Sequence, residues 1–184
     1  MNAPSCTAHD LHRRLTHVIQ GQFRVSRDED EVLTTILGSC VATCLCDPVA
    51  RVGGMNHFVL AEGSELGGMG YRYGAQAMEL LINALIKMGA RKDRLQAKLF
   101  GGAQLDPALG RIGEANARFA LQFLTAEGIA CVAQSLGGDR ARRIRFVPTT
   151  GQARQLLIAA DYCEDLRFPA RAPQDAGDVT LFEE

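Results

Sequence analysis

At 184 residues, 47% hydrophobic and 22% charged, the chain has the composition of a globular protein with one buried core. A net charge of −1, 6% aromatics and no tryptophan argue against a nucleic-acid surface, basic or base-stacking. No apolar run approaches the roughly 18 residues of a membrane span, and the first 20 residues lack a signal-peptide core. The expectation is a cytoplasmic protein, inserted in no membrane, whose six cysteines are reduced thiols rather than three disulfides.

Residues 1–16 are polar and basic and read as a flexible arm. Val18, Phe23 and Val25 around Gly21 suggest a short strand with a turn, and residues 27–31 a charged loop. Val32–Ile36, Val41–Cys46 and Arg51–Leu60 read as strands from their β-branched and apolar content. Glu62–Gly74 holds five glycines and reads as a loop, a candidate flap over a site. Met78, Leu81, Ile82 and Leu85 recur at helical spacing, predicting a helix over 75–88 that stops at Gly89.

Leu95–Phe100 is a predicted strand ending in Gly101-Gly102. A second helix is expected over 114–127, with Ala117, Ala120, Leu121 and Leu124 on its apolar face. Strands follow at 129–136 and 144–147, separated by Gly137-Gly138; residues 152–162 are strand or helix. The stretch 164–184 is acidic, poor in apolar residues, and reads as a flexible tail. Few helices, many short strands and no strict β-α alternation predict an α+β fold: one domain over 17–163 with mixed or antiparallel sheets flanked by helices.

Gly38-Ser39-Cys40 lies 17 residues before Asn56-His57, the only histidine beyond the first 20 residues. A thiol and an imidazole are the minimum equipment for nucleophilic hydrolysis of an amide, and a glycine turn before the cysteine can aim backbone N–H groups at an oxyanion. Against this stands the plain alternative of a core cysteine after a turn and a histidine at a strand edge. Thr34, Thr35 and Asn56 are all candidates for the group that orients the imidazole, and spacing does not choose among them. Cys40, Cys44 and Cys46 share strand parity, but C-x3-C-x-C lacks the paired knuckles of a zinc site, so no metal or other cofactor is called for. The Arg140–Arg145 cluster reads as a holder of an acidic partner or as a solvated strand edge.

The segment TILGSCVATCLCDPVARVGGMNHFVL (35–60) closely resembles the CheD family of chemoreceptor glutamine deamidases. The likeness continues in KLFGGA (98–103), IGEANARFALQFL (112–124) and LGGDRARRIRFVPTTG (136–151). It implies hydrolysis of glutamine side-chain amides on bacterial chemoreceptors, with Cys40 as nucleophile, His57 as its base and Thr34, six residues before the cysteine, as third member. It also implies a fold similar to the catalytic domain of cytotoxic necrotizing factor toxins.

Gly38 and Ser39 would then form the oxyanion turn, with Asn56, Gly101 and Gly102 near the site in a substrate or structural role. The implied partners are the receptor cytoplasmic domain and, in some bacteria, a CheC-type phosphatase; a non-catalytic binding module is the alternative. Two departures from the family pattern stand out: Ser135 where the family has aspartate, and Ala141 before Arg142 where it has glycine. They put contacts at that turn, rather than the chemistry, in question.

Overall fold

The computed structural model describes residues 13–60, 69–105 and 111–158. Its strands are β1 (Arg14–His17), β2 (Phe23–Ser26), β3 (Glu31–Leu37), β4 (Val41–Asp47), β5 (Val52–Phe58), β6 (Gln96–Gly101), β7 (Ala130–Leu136), β8 (Arg142–Val147) and β9 (Gln152–Leu157). Helix α1 (Met69–Lys87) lies between β5 and β6, with a single 3-10 turn at Lys92–Arg94, and α2 (Ile112–Ala126) lies between β6 and β7. The strands form two mixed sheets, ordered β1-β3-β8-β9 and β2-β5-β4-β6-β7, in which only β1–β3 and β6–β7 run parallel.

The expected α+β architecture is present, built in three layers. Leu33, Leu37, Ile144 and Phe146 of the four-stranded sheet pack on Ala42, Cys44, Met55 and Phe100 of the five-stranded one. The other face of the five-stranded sheet, with Val41, Leu45, Val52 and Phe58, receives Met78, Leu81 and Leu85 of α1 and Phe119, Ala120 and Leu124 of α2. Strands β4 and β5 are therefore covered on both sides and buried at every position, so burial along them does not alternate. Direction still does: even residues of β4 and odd residues of β5 face the other sheet.

Both helices end as their glycines predict. Gly89 and Gly128 are left-handed at φ 94° and 67°. In each case the amide after the glycine closes a six-residue ring, Ala90 N–H to the Leu85 carbonyl and Ile129 N–H to that of Leu124.

Three readings change, and one left open is decided. The strand β1 begins at Arg14, inside the segment read as an arm, because it pairs in register with Glu31–Thr34. Helix α1 begins at Met69, so 69–74 is helix rather than loop. Gly74 breaks nothing there: a Cβ at this position would lie 2.5 Å from Leu60 Cδ2 and 2.8 Å from the Phe119 ring, so the glycine serves close packing. The buried face of α2 is Asn116, Phe119, Ala120, Phe123 and Leu124, rotated from the expected one because the two phenylalanines bring more apolar area; Phe119 stacks edge-on against Phe58 and Tyr71. Residues 152–157 are strand. The candidate flap at 62–68, residues 1–12 of the arm and the tail at 164–184 lie outside the described residues.

Asp47, at the far end of β4 from the site, ties the turn after β4 to the connection after α1. It accepts the Val49 and Ala50 amides through one oxygen, and the Arg91 amide and Arg94 guanidinium through the other. Burial alone would raise this carboxyl, but those donors hold it down at about 2. A carboxylate depressed on folding stabilises above its unfolded pKa, and that stability is lost as pH falls towards the folded value. Denaturant titrations should therefore show stability falling between about pH 4 and pH 2, with a smaller fall in Asp47→Asn.

Candidate active site

The site forms where β3, the turn before β4 and the end of β5 meet at one end of the inter-sheet layer. His57 pairs with Ala42 across β4–β5 and points, like Met55, into the layer between the sheets. Its Nδ1 lies 2.9 Å from Thr35 Oγ1 and 3.3 Å from the Val18 carbonyl oxygen. A carbonyl only accepts, so this network assigns the proton to Nδ1 and leaves Nε2 with a free lone pair. That Nε2 is buried and has no hydrogen-bond partner among the described residues. Burial pushes the imidazole pKa down, against the pull of the Val18 carbonyl, and so favours the neutral ring.

Cys40 stands on the same face, two residues before Ala42 and partly buried against the inter-sheet core. Its Sγ donates to Gln20 Oε1 at 3.5 Å rather than to His57. Burial raises the thiol pKa, and the residue's own backbone N–H opposes that rise. Burial therefore favours the uncharged form of both groups.

The turn that carries Cys40 is held by its carbonyls. Ala103 N–H bonds the Gly38 oxygen and Gly102 N–H the Cys40 oxygen, both at 2.8 Å; Asn116 Nδ2 bonds the Ser39 oxygen, also at 2.8 Å. In a trans peptide the C=O and the following N–H point in opposite directions. With the Ser39 carbonyl drawn towards α2, the Cys40 N–H points away from the helix, on the side of the thiol. This is the backbone donor that an oxyanion at Cys40 would meet.

The expected site residues divide accordingly. Cys40 and His57 share a face, and the imidazole partner is Thr35. Thr34, the third member implied by the resemblance, points out of the opposite face of β3 and donates to the Ile144 carbonyl at 2.7 Å. The reason is parity: Leu33, Thr35 and Leu37 face the other sheet, and a step of one residue reverses direction. Asn56 faces the helices, accepting the Thr43 amide and donating to the Ala77 carbonyl.

Gly38 is not left-handed; a Cβ there would meet Leu105 Cδ1 at 2.6 Å. Gly101 is left-handed at φ 112°, and a Cβ would collide with the Cys40 oxygen at 2.1 Å. Gly102 and Gly113 bring the start of α2 against the end of β6 in the same way. The glycine pair therefore shapes the cysteine turn.

Asn116 is the residue that sequence reasoning missed. Fully buried in α2, it accepts the Leu60 amide at 2.7 Å while holding the Ser39 carbonyl, and so couples the end of β5 to the cysteine turn. A lone asparagine on an otherwise apolar helix face was the available signal.

Beyond α2 lies a groove of about 1240 Å3 lined by Gly102, Gln104, Glu114, Ser135 and Gly137 among others. Ser135 holds the buried Arg142, which donates to its Oγ at 3.0 Å and to the Ser135 and Gly137 carbonyls. The departure at position 135 thus falls on a contact within the β7–β8 turn. Arg142 leaves the basic cluster for the interior, while Arg140, Arg143 and Arg145 stay exposed.

A family model described as CheD chemotactic sensory transduction matches residues 62–155. The chain belongs to the CheD family. It is 53% identical to a Cereibacter sphaeroides protein designated "Probable chemoreceptor glutamine deamidase CheD", over 92% of this chain and 85% of that one. Proteins of the same designation match from Acidiphilium cryptum, at 53% over 97% and 99% of the two chains, and from Agrobacterium fabrum, at 57% over 76% and 77%. A crystal structure of a Neisseria meningitidis protein overlays at a TM-score of 0.42 with 11% identity, covering 69% of this chain and 63% of that one; at that score it carries no argument.

Replacing Asn116 by leucine would leave a buried carbonyl and a buried amide unpaired at a cost of about 1–3 kcal/mol each. Urea titration of Asn116→Leu should show the loss; a variant as stable as the wild type would contradict the coupling of β5 to the cysteine turn.

Proposed function

We propose that the chain hydrolyses the side-chain amide of specific glutamines on methyl-accepting chemoreceptors to glutamate and ammonia. Cys40 is the nucleophile, His57 the base and acid, and Thr35 the residue that positions the imidazole. The designations of its CheD relatives support the substrate and the reaction. The observation that carries the mechanism is the buried Nε2 of His57, unpartnered among the described residues, on a ring whose Nδ1 is held by Thr35 and the Val18 carbonyl and which lies on the face that Cys40 occupies.

The first step takes the Cys40 proton to Nε2. Because burial favours the neutral thiol and the neutral imidazole, the thiolate–imidazolium pair forms only as substrate arrives, and the Sγ–Nε2 approach tightens as substrate binds. Sulfur bonds the glutamine Cδ, and the carbonyl electron pair moves onto oxygen beside the Cys40 N–H. The oxyanion collapses, the C–N bond breaks with a proton from the imidazolium, and ammonia departs. Water, deprotonated by the same Nε2, then cleaves the thioester to glutamate and free thiol. Each oxyanion donor is worth about 3 kcal/mol in hydrolases of this kind.

On a receptor coiled coil the new carboxylate alters side-chain pairing along and between helices, at a few tenths of a kcal/mol per pair. We place the reaction in the cytoplasm, with no cofactor, metal, nucleic acid or membrane insertion; no helix among the described residues is long and apolar enough to cross a membrane. Two mixed sheets flanked by helices, with a cysteine turn facing a strand histidine, also support kinship with the cytotoxic necrotizing factor catalytic domain. A CheC-type phosphatase belongs to this reading as a regulator.

Incubation with a receptor cytoplasmic fragment should add about one dalton per modified glutamine, and Cys40→Ala should abolish the change. Tight fragment binding with no mass change would instead favour a non-catalytic module.

A further inference from the structure

Gln20 lies in the turn between β1 and β2, next to the left-handed Gly21 at φ 82°. This turn is fastened to the catalytic histidine on both sides of its peptide: Gly21 N–H donates to the His57 carbonyl at 2.8 Å, and His57 N–H to the Gln22 carbonyl at 3.0 Å. The Val18 carbonyl, two residues before Gln20, is the one that meets His57 Nδ1. The backbone of Gln20 is thus positioned by the base, while its side chain reaches the nucleophile, with Oε1 3.5 Å from Cys40 Sγ.

That contact suits only the protonated thiol. A thiol has a hydrogen to give to Oε1; a thiolate can only accept, and Oε1 beside it would be repulsive. The glutamine carboxamide carries two N–H donors on its other end, and its terminal torsion is broad and two-fold. Gln20 is exposed among the described residues, which gives its carboxamide room for a half-turn that sets Nε2 where Oε1 stood. Its N–H then faces the sulfur and the space next to it, where the oxygen of the attacked amide comes to lie. The Cys40 backbone N–H supplies one donor there, and the carboxamide supplies a second from a different element.

We propose that Gln20 is a further catalytic residue, whose side-chain N–H stabilises the Cys40 thiolate and then the tetrahedral oxyanion. The thiolate contact stands on geometry alone, whereas the oxyanion contact rests on the deamidation reading.

The test follows Cys40 alkylation by iodoacetamide against pH, read at the Cys40 peptide by mass spectrometry, in the full chain and in Gln20→Ala and Gln20→Glu. Among the described residues, the other titratable groups on this face are His57 of β5, Cys44 and Cys46 of β4 and Lys98 of β6 beside them, unchanged in all three proteins. Loss of the donor should move the alkylation midpoint alkaline by about half a pH unit or more in Gln20→Ala, and further in Gln20→Glu, where a carboxylate faces the sulfur. On a receptor fragment, Gln20→Ala should lower kcat by about tenfold to a hundredfold with KM within about twofold.

Unmoved midpoints in both variants would overturn the proposal. So would a Gln20→Ala enzyme faster than the wild type, since Gln20 would then be a plug that substrate must displace. Alkylation needs no receptor. Shifted midpoints with no deamidation by the wild type would therefore uphold the thiolate contact and overturn the deamidation reading instead.

Discussion

A hydrogen bond between a threonine hydroxyl and an imidazole nitrogen, buried between two sheets, is the contact on which the site depends. Thr35 Oγ1 and His57 Nδ1 meet at 2.9 Å in a layer of apolar side chains that also holds the thiols of Cys44 and Cys46. In that setting an unpaired polar group costs several times what it costs at the surface. The ring is consequently fixed: Nδ1 is committed to Thr35 and the Val18 carbonyl, and the remaining nitrogen is left as a base. The same burial that depresses the imidazole pKa raises that of the thiol, so both groups favour their uncharged forms.

The rest of the fold serves that contact. Helices on one face and a second sheet on the other bury β4 and β5 completely, which makes their side-chain directions a strict binary choice. Asn116 reaches from α2 through the helix-side layer to pin both Leu60 and Ser39. Gly101 and Gly113 permit backbone approaches too close for any Cβ. The cysteine turn is therefore shaped by its carbonyl partners, and the amide that faces the thiol is directed by what its neighbouring carbonyl must bond.

Much of this was legible in the chain. The strand and helix order followed from periodicity and from Gly89 and Gly128, and Cys40 and His57 stood out by type and separation. Thr34 came from the resemblance alone, and a position given by its distance from a cysteine along one strand says nothing about which face of that strand meets the next sheet; the threonine that contacts His57 is Thr35. Only the pairing of Thr35 with Ile144, whose side chain lies in the inter-sheet core, settles the direction. The glycine at 74 looked like a helix breaker because close packing against Leu60 and Phe119 leaves no local signature. Asn116 was hidden because its partners, at positions 39 and 60, are distant in sequence and are both backbone groups.

The parity of β3 is the most direct point of test. Steady-state deamidation of a receptor fragment by Thr35→Val and Thr34→Val compares two substitutions of the same size on adjacent residues of one strand. The account predicts a fall in kcat of about a hundredfold for Thr35→Val, with Thr34→Val within a few-fold of the wild type once both are shown to be folded. The reverse order, with Thr34→Val crippled and Thr35→Val active, would contradict it.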